Sequence, residues 1–267
     1  MIRPGARRRL RQPRVAEIVA DELRERIISG DLPDGSSLPK QDELLEEFGV
    51  SKPSAREAFR ILETEGLVTV QRGNVGGAVV HLPNPNAVAY TLALVLQARG
   101  VMLQDVGLAL QQIEPLCAAF CAARSDREKD VVPVLEAAHE RLARALSAPA
   151  TERDEQEVTD ASRSFHEAIV ETCGNESMIA VAGALETIWS AHERSWSARV
   201  AEAGRFPEPR LGAKALKEHA EILAAIVKGD SDRAARAARR HLATAQLYPL
   251  SEGPDSAVRA STLRRMG

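Results

Sequence analysis

Residues 43–62, ELLEEFGVSKPSAREAFRIL, decide the fold of the first third of this 267-residue chain. Apolar residues at helical spacing lie on both sides of Gly49, and glycine is the residue that most readily adopts a left-handed turn. Ser51 follows in a position typical of a helix N-cap, and Pro53 falls in the first turn, where its missing N–H does no harm. The stretch therefore predicts two helices joined by a tight turn.

The flanking sequence extends this pair into a small domain. Residues 14–29 place apolar side chains every three or four positions, which predicts a preceding helix. Two β-like runs, residues 67–71 and 78–82, follow the pair and enclose a turn-rich segment typical of a hairpin. We therefore predict a winged helix-turn-helix over residues 14–82, with three helices and a β-hairpin wing.

The second helix of the pair carries a basic stripe. Lys52, Arg56 and Arg60 are spaced four residues apart and share one face, while the apolar residues point to the other. Ser51 and Ser54 lie in the first turn, the part of such a helix that reaches base edges in a major groove. Arginine in this position suits a bidentate contact with guanine. The stripe predicts a partner of double-stranded DNA.

The rest of the chain has a different organisation. Residues 1–13 are rich in arginine without an acid and predict a disordered basic arm. Residues 83–86 contain two prolines and predict a linker. Residues 87–248 show helical patterns throughout, which predicts an all-helical antiparallel bundle of about seven helices. Residues 249–267 predict a disordered tail. The fold class is thus mainly α.

Composition narrows the function classes. We find no apolar run long enough to span a bilayer and no secretory signal at the arginine-rich start, which predicts a cytoplasmic protein without a membrane partner. Aromatic residues make up 3% of the chain, too few for single-stranded nucleic acid to stack on. Three cysteines lack metal-type spacing and predict reduced core thiols. They are Cys117, Cys121 and Cys173.

Three of the six histidines occur in similar helical contexts, namely His166, His219 and His241. A turn at Gly229-Asp230 separates the last two, so a helix hairpin would bring them together. Three imidazoles converging inside a bundle predict a site for a divalent transition metal, typically Zn²⁺. We assign no role to the other histidines, which are His81, His139 and His192.

The same ligand count leaves an alternative open. Three histidines with an open fourth position are also the ligand set of a catalytic zinc site, so a metal-dependent enzyme is the second hypothesis. Against it, the sequence contains no His-Glu-x-x-His motif, no nucleophile triad that spacing would assemble and no glycine-rich phosphate loop after a strand. We therefore favour a regulator over an enzyme.

A wider set of residues carries a resemblance to a known family. The residues of this set in the chain are Leu38-Pro39, Glu43-Leu44, Gly49-Val50-Ser51, Arg56-Glu57-Ala58, Leu62-Glu63, Glu65-Gly66-Leu67-Val68, Gly73 and Gly76-Gly77. Over residues 14–82 this set resembles the winged helix of GntR-type bacterial regulators. The resemblance implies that Lys52 and Arg56 contact operator DNA, and that a wing tip at Arg72 and Gly73 enters the minor groove.

One position departs from that pattern. Asp42 stands where many GntR regulators have a basic residue that touches phosphate, and Lys40 is the residue that would take over this contact. The predicted DNA-binding residues are therefore Lys40, Ser51, Lys52, Ser54, Arg56, Arg60, Arg72 and Gly73.

The helical part also resembles a family domain, the FCD domain of the FadR subgroup. The matching residues are Ile113-Glu114-Pro115, Phe165-His166, Gly174-Asn175, Glu218-His219, residues 222–230 and His241. In metal-binding members, three histidines at the positions of His166, His219 and His241 hold the ion together with an aspartate one turn before the first. Ser162 stands at that fourth position, and Asp160 would lie about 120° off the histidine face.

The resemblance also implies an effector pocket. Relatives often have an arginine at the position of Gln111, where it helps to bind a carboxylate, so a small organic acid is less favoured here. We predict a pocket lined by Gln111 and Ser162. A neutral or polar metabolite, a ligand whose oxygen binds the metal directly, and an acyl-coenzyme A in a metal-free pocket all remain open. The whole pattern implies a homodimeric regulator, usually a repressor, whose operator binding a small molecule controls.

Overall fold

The structure is a computed structural model, and it describes residues 14–39, 41–70, 78–83, 85–149, 153–202, 209–245 and 257–263. The chain divides into two compact units, Met1–Asn84 and Pro85–Gly267. The basic arm predicted for residues 1–13 lies outside the described residues.

The first unit contains three helices and a two-stranded sheet. They are α1 (Val15–Ser29), α2 (Gln41–Phe48), α3 (Lys52–Thr64), β1 (Val68–Val70) and β2 (Ala78–Val80). The strands pair antiparallel, with Val68 opposite Val80 and Val70 opposite Ala78. This order confirms the predicted winged helix-turn-helix. The hairpin tip, residues 71–77, lies outside the described residues.

An apolar core unites these elements. Leu23 of α1, Leu44 of α2 and Leu62 of α3 are fully buried and belong to one cluster that also includes residues of both strands. Gly49 joins α2 to α3 with φ of 62°, a left-handed conformation that costs glycine little. A residue with a Cβ would be strained in this left-handed backbone conformation, which makes glycine the suitable residue at the turn.

The sheet has one contact that the sequence pattern does not indicate. The segment before α2 runs along β2, where the Leu38 N–H donates to the Ala78 carbonyl at 2.7 Å and the Val80 N–H donates to the Ser36 carbonyl at 2.8 Å. These bonds satisfy the outer edge of β2. The base of the wing is therefore attached to the body of the unit rather than to α3 alone.

The second unit is all helical in its described residues. Its long helices are α4 (Pro85–Ala98), α5 (Leu103–Ala123), α7 (Val132–Ser147), α8 (Glu155–Glu171), α9 (Glu176–Glu202), α10 (Pro209–Val227) and α11 (Ser231–Ala245). Two single-turn helices, α6 (Arg127–Asp130) and α12 (Ala260–Leu263), complete it. The prediction of a bundle of about seven helices is confirmed.

Helix α5 lies at the centre of this bundle and packs against α8, α9, α10 and α11. Among the described helices it alone is long and apolar enough to cross a membrane, although half of its most apolar window is buried inside the bundle. Burial inside a protein core explains an apolar helix of this length equally well. Of its two acidic residues, Asp105 and Glu114, the second is fully buried and contributes to the site described below.

Two boundary predictions are wrong. The linker expected at residues 83–86 is shorter, because Pro85 and Asn86 form the first turn of α4. Proline is well tolerated there, since the first helical N–H groups have no intrahelical acceptor. The disordered tail expected at residues 249–267 is ordered at residues 257–263, because Val258 and Ala260 are buried apolar side chains.

The ordered C-terminal segment docks by backbone groups as well as by packing. The Val258 N–H donates to the Val101 carbonyl at 3.0 Å, and the Ala260 N–H donates to Oε1 of Gln97 at 2.8 Å. The Arg259 N–H donates to Nε2 of His192, a histidine of α9, also at 3.0 Å. The segment therefore connects α4 to α9.

Candidate functional site

Helix α3 presents the predicted basic stripe to solvent. Lys52, Arg56 and Arg60 are exposed, while Ala55, Ala58 and Leu62 are buried against the core. Ser51 caps the helix, and its hydroxyl accepts from the Ser54 N–H at 3.4 Å. The cap satisfies a backbone donor that would otherwise lack a partner.

The three cations of the stripe differ in their acidic neighbours. Lys52 lies 3.4 Å from the carboxylate of Asp42, the acid that departs from the family pattern. Arg60 lies 3.5 Å from Glu57 on its own helix. Both pairs are well exposed, so each contributes little to stability and opens readily for a phosphate. Arg56 is exposed and has no ion pair within the described residues.

Three predicted DNA-binding residues, Lys40, Arg72 and Gly73, lie outside the described residues. The roles of all eight DNA-binding residues remain predictions.

The second unit brings its three predicted histidines together. Nε2 of His241 lies 3.1 Å from Nε2 of His219 and 3.2 Å from Nε2 of His166. The ligand nitrogens of all three lie within 4.8 Å of one another, and all three side chains are buried. His166 comes from α8, His219 from α10 and His241 from α11. The predicted convergence of the helix hairpin is therefore observed.

Carboxylates contact two of the three rings at Nδ1, the nitrogen opposite the clustered Nε2 atoms. Nδ1 of His166 lies 2.6 Å from Oε1 of Glu114 on α5, and Nδ1 of His241 lies 2.8 Å from Oε2 of Glu218 on α10. A ring N–H that donates to a carboxylate leaves Nε2 with its lone pair directed at the centre of the cluster. This carboxylate–histidine arrangement is the one that orients histidine ligands in metal sites.

The third ring is held by packing. The ring of Phe165 stacks on that of His219 with centroids 4.2 Å apart and planes 11° from parallel. Nδ1 of His219 is buried and has no hydrogen-bond partner among the described residues. Stacking fixes the plane of the imidazole without the help of a carboxylate.

The electrostatics of the cluster favour neutral rings. Burial lowers the pKa of His166 and of His219 well below the usual histidine range, since an imidazolium inside the bundle would lose its hydration. The hydrogen bond with His241 lowers the pKa of Glu218. Neutral imidazoles at His166 and His219 are ready ligands for a cation.

The residues present fit a zinc ion. Tetrahedral bonds of about 2.0–2.1 Å place two ligand nitrogens about 3.3 Å apart. Two of the three separations between ligand nitrogens, 3.1 and 3.2 Å, agree with this spacing, and all three nitrogens lie within 4.8 Å of one another. His166, His219 and His241 would hold the ion, which would supply a Lewis-acidic centre with a fourth position open to an oxygen ligand.

Each predicted pocket residue lies one helical turn from His166 or from Glu114, the residue that contacts His166. Ser162 lies one helical turn before His166 on α8, and Gln111 lies one turn before Glu114 on α5; both are half-buried. Asp160 is engaged elsewhere, since its carboxylate lies 2.5 Å from Nε of Arg194. Asp160 is therefore no substitute for the missing aspartate.

Sequence reasoning missed the residues that surround the histidines. Arg163 and Glu186 are both almost completely buried and form an ion pair between α8 and α9. Nε of Arg163 also donates to the Ser190 hydroxyl at 3.2 Å, and Glu193 lies 3.5 Å from the same nitrogen. Glu114 carries a signal that could have been used, because it is the only charged residue between Val106 and Ala123.

The three cysteines are core thiols, as predicted. Cys117, Cys121 and Cys173 are buried and free of disulfides. Burial raises the pKa of Cys117 above the usual thiol range and that of Cys121 to about 11.

Comparison with known proteins assigns a family model to each unit. Residues 15–79 match the model of bacterial regulatory proteins of the GntR family, and residues 105–244 match that of the FCD domain. The GntR model and the relatives described next are transcriptional regulators rather than enzymes, so the enzyme hypothesis is not retained.

Relatives and a solved structure agree with this assignment. The chain is 28% identical over 243 residues to the HTH-type transcriptional repressor NanR of Enterobacter sp. (strain 638), covering 88% of this chain and 85% of that protein. NanR of Cronobacter sakazakii is 27% identical over 238 residues, with the same coverage. The structure of Streptococcus agalactiae GntR superposes with a TM-score of 0.63 at 21% identity, over 89% of this chain and all of that one. The chain belongs to the GntR family of transcriptional regulators and carries an FCD domain.

Proposed function

We propose that the protein is a homodimeric repressor of the FadR subgroup, and that a small metabolite bound beside a divalent metal ion in the helical unit controls its operator binding. The metal is Zn²⁺, held by His166, His219 and His241. The observation that carries the proposal is the convergence of three buried Nε2 atoms, two of them on rings that carboxylates orient. The protein would act in the cytoplasm, on the nucleoid.

The DNA-reading part of the proposal rests on α3. Arg56 would read a base edge, while Lys52 and Arg60 would contact phosphates. The resemblance to the family implies that a wing tip at Arg72 and Gly73 enters the minor groove, and Lys40 would take over the phosphate contact that Asp42 does not make. One recognition helix per chain makes few base contacts, so two copies on a pseudo-palindromic operator are the arrangement that gives a long specific site.

The effector would bind at the open fourth position of the metal. Ser162 leaves this position without a protein carboxylate, so an oxygen of the effector would complete the coordination. Gln111 would offer a neutral hydrogen-bonding side chain in place of a cation, which favours a polar ligand over a strongly anionic one. Binding would shift operator affinity only if the effector prefers one arrangement of the dimer.

The test combines metal analysis with DNA binding. The operator is first obtained by selection from random duplexes, and the protein is then assayed on it with and without its metal. We expect one divalent ion per chain, none in His219→Ala, and operator binding that responds to metabolites only in the metal-loaded wild type. His81→Ala, on the first unit, serves as the matched histidine control. A wild type that responds equally after its metal is removed contradicts the proposed metal role.

A further inference from the structure

Helix α11 of the second unit carries a row of basic side chains on its exposed face. The row consists of Arg233, Arg236, Arg239 and Arg240, and all four are exposed. At about 100° and 1.5 Å per residue, these positions share an arc of about 120° and extend over about 10 Å along the helix. The other side of the helix packs into the bundle through Ala234, Ala238 and Leu242. We call these four arginines the α11 row.

Most of the α11 row lacks an acidic partner. Arg240 lies 3.5 Å from Glu221 of α10, whereas the other three arginines form no ion pair with any described residue. Asp232 is the only acid of α11 itself. Residues 209–245, which include α10 and α11, contain eight basic and four acidic residues, although the whole chain has a net charge of −3. The α10–α11 hairpin is therefore a positively charged part of an acidic protein.

Solubility alone does not account for the α11 row. Arg236 is three residues from Arg233 and from Arg239, and four from Arg240. Like charges at these spacings face one another on a helix and destabilise it. A surface that only had to stay hydrated would be better served by charges of both signs. The row therefore favours a negatively charged partner that offsets this repulsion.

The neighbours of the row indicate the class of that partner. No large apolar side chain is exposed among the described residues of α11. A stable protein interface has an apolar centre depleted of charge, and a helix bound to a membrane surface inserts apolar side chains. The backbone of duplex DNA requires only cations and hydrogen-bond donors. DNA is also the polyanion that regulators of the GntR family bind, so the row fits a DNA backbone best.

We propose that the α11 row is a second DNA contact, which binds phosphates of duplex DNA without reading the sequence. Each guanidinium offers a planar pair of donors that matches two phosphate oxygens. The exposed pair between Arg240 and Glu221 opens readily for a phosphate. The row adds affinity evenly across sequences, while α3 supplies the choice of operator. This inference rests on the DNA binding of the family and is independent of the proposed metal site.

The experiment measures binding of the full chain to a mixed-sequence duplex without the operator, at several salt concentrations. In the double variant Arg236→Gln, Arg239→Gln we expect the affinity at about 50 mM salt to fall on the order of tenfold per lost contact, and the salt slope to fall by about one per contact. Arg99→Gln, Arg144→Gln is the matched control, because it removes the same charge from exposed positions outside the row. Both variants should unfold at the temperature of the wild type, since all four side chains are exposed.

A conservative double variant, Arg236→Lys, Arg239→Lys, tests whether charge is what matters. It should keep the salt slope of the wild type, because the release of counterions depends on the number of cations. An operator duplex of the same length measures the preference for operator over mixed sequence. This preference should be unchanged in Arg236→Gln, Arg239→Gln, since the row weakens both duplexes equally when it is removed.

Three results would overturn the proposal. The first is a glutamine double variant that binds mixed-sequence DNA with the affinity and salt slope of the wild type, including the case in which it loses only binding to vesicles of phosphatidylglycerol and phosphatidylcholine. The second is an equal loss in Arg99→Gln, Arg144→Gln, which would reduce the effect to net charge. The third is a lower operator preference in the glutamine variant, which would mean that the row reads sequence.

Discussion

Nδ1 of His166 lies 2.6 Å from Oε1 of Glu114, a contact between α8 and α5 that is sealed from solvent. A carboxylate buried in an apolar helix at the centre of a bundle destabilises the fold unless it has a buried hydrogen-bond partner. The partner here is a ring whose other nitrogen faces two further imidazoles. The contact explains why a charged residue occurs at this position.

Glu114→Gln should lower Zn²⁺ affinity about 10- to 100-fold, because the imidazole of His166 loses the negative charge that makes it a stronger ligand. Chelator competition measures the change. Glu136→Gln on the exposed face of α7 is the control and should bind as the wild type does. Equal affinities for Glu114→Gln and the wild type would mean that the charge of Glu114 does not strengthen His166 as a ligand.

Ser162→Asp should tighten Zn²⁺ binding by more than about tenfold, since a direct fourth ligand contributes more than an outer partner does. Ser164→Asp is the matched control, because two residues further along the helix a side chain points to nearly the opposite side. The same chelator competition applies. Equal gains in both variants would indicate a general effect of added charge.

On DNA, Arg56→Ala should cost about 1–3 kcal/mol for the preferred sequence and relax the choice at one base pair. Lys52→Ala should weaken all sequences evenly and reduce the salt slope by about one. Competition binding against operator variants at several salt concentrations distinguishes the two. If both variants bind with unchanged affinity, α3 is not the reading helix.

Asp42→Asn should strengthen DNA binding and steepen its salt dependence. The carboxylate lies 3.4 Å from Nζ of Lys52 and competes there with phosphate. The pair is exposed, so folding stability should change by less than about 1 kcal/mol. Glu46→Gln, an exposed acid on the same helix, is the control. An equal gain in the control would show that the effect comes from net charge and not from the contact with Lys52.

The free energy of unfolding should fall as the pH rises past about 8.5, the usual thiol pKa. Burial raises the folded-state pKa of Cys117 and Cys121, so the stability that neutral thiols contribute is complete below the unfolded-state pKa and is lost above it. Urea unfolding under reducing conditions between pH 8 and 10 measures the slope. A Cys117→Ala, Cys121→Ala double variant should flatten the slope, and an identical slope would exclude the thiols as its cause.

Much of this architecture follows from local pattern. Gly49, the cap at Ser51 and the apolar spacing of α3 locate the helix pair, because each depends only on neighbouring residues. The repeated histidine contexts likewise locate His219 and His241, two members of the cluster. Such features need no knowledge of how distant helices align.

Other features depend on long-range register, which one sequence does not contain. Glu186 and Arg163 meet only because α8 and α9 pack in one particular alignment. The docking of residues 257–263 depends on acceptors at Val101 and Gln97, far away in the chain. The contact of Leu38 with β2 is equally non-local, so none of these could be predicted from periodicity.

The central claim, a metal ion at the three histidines, is tested most directly by elemental analysis of protein reconstituted with Zn²⁺ and freed of excess by gel filtration. The account predicts one zinc per chain for the wild type and for His81→Ala, and almost none for a folded His219→Ala variant. A zinc content in His219→Ala equal to that of the wild type, or a wild type without zinc, would contradict it.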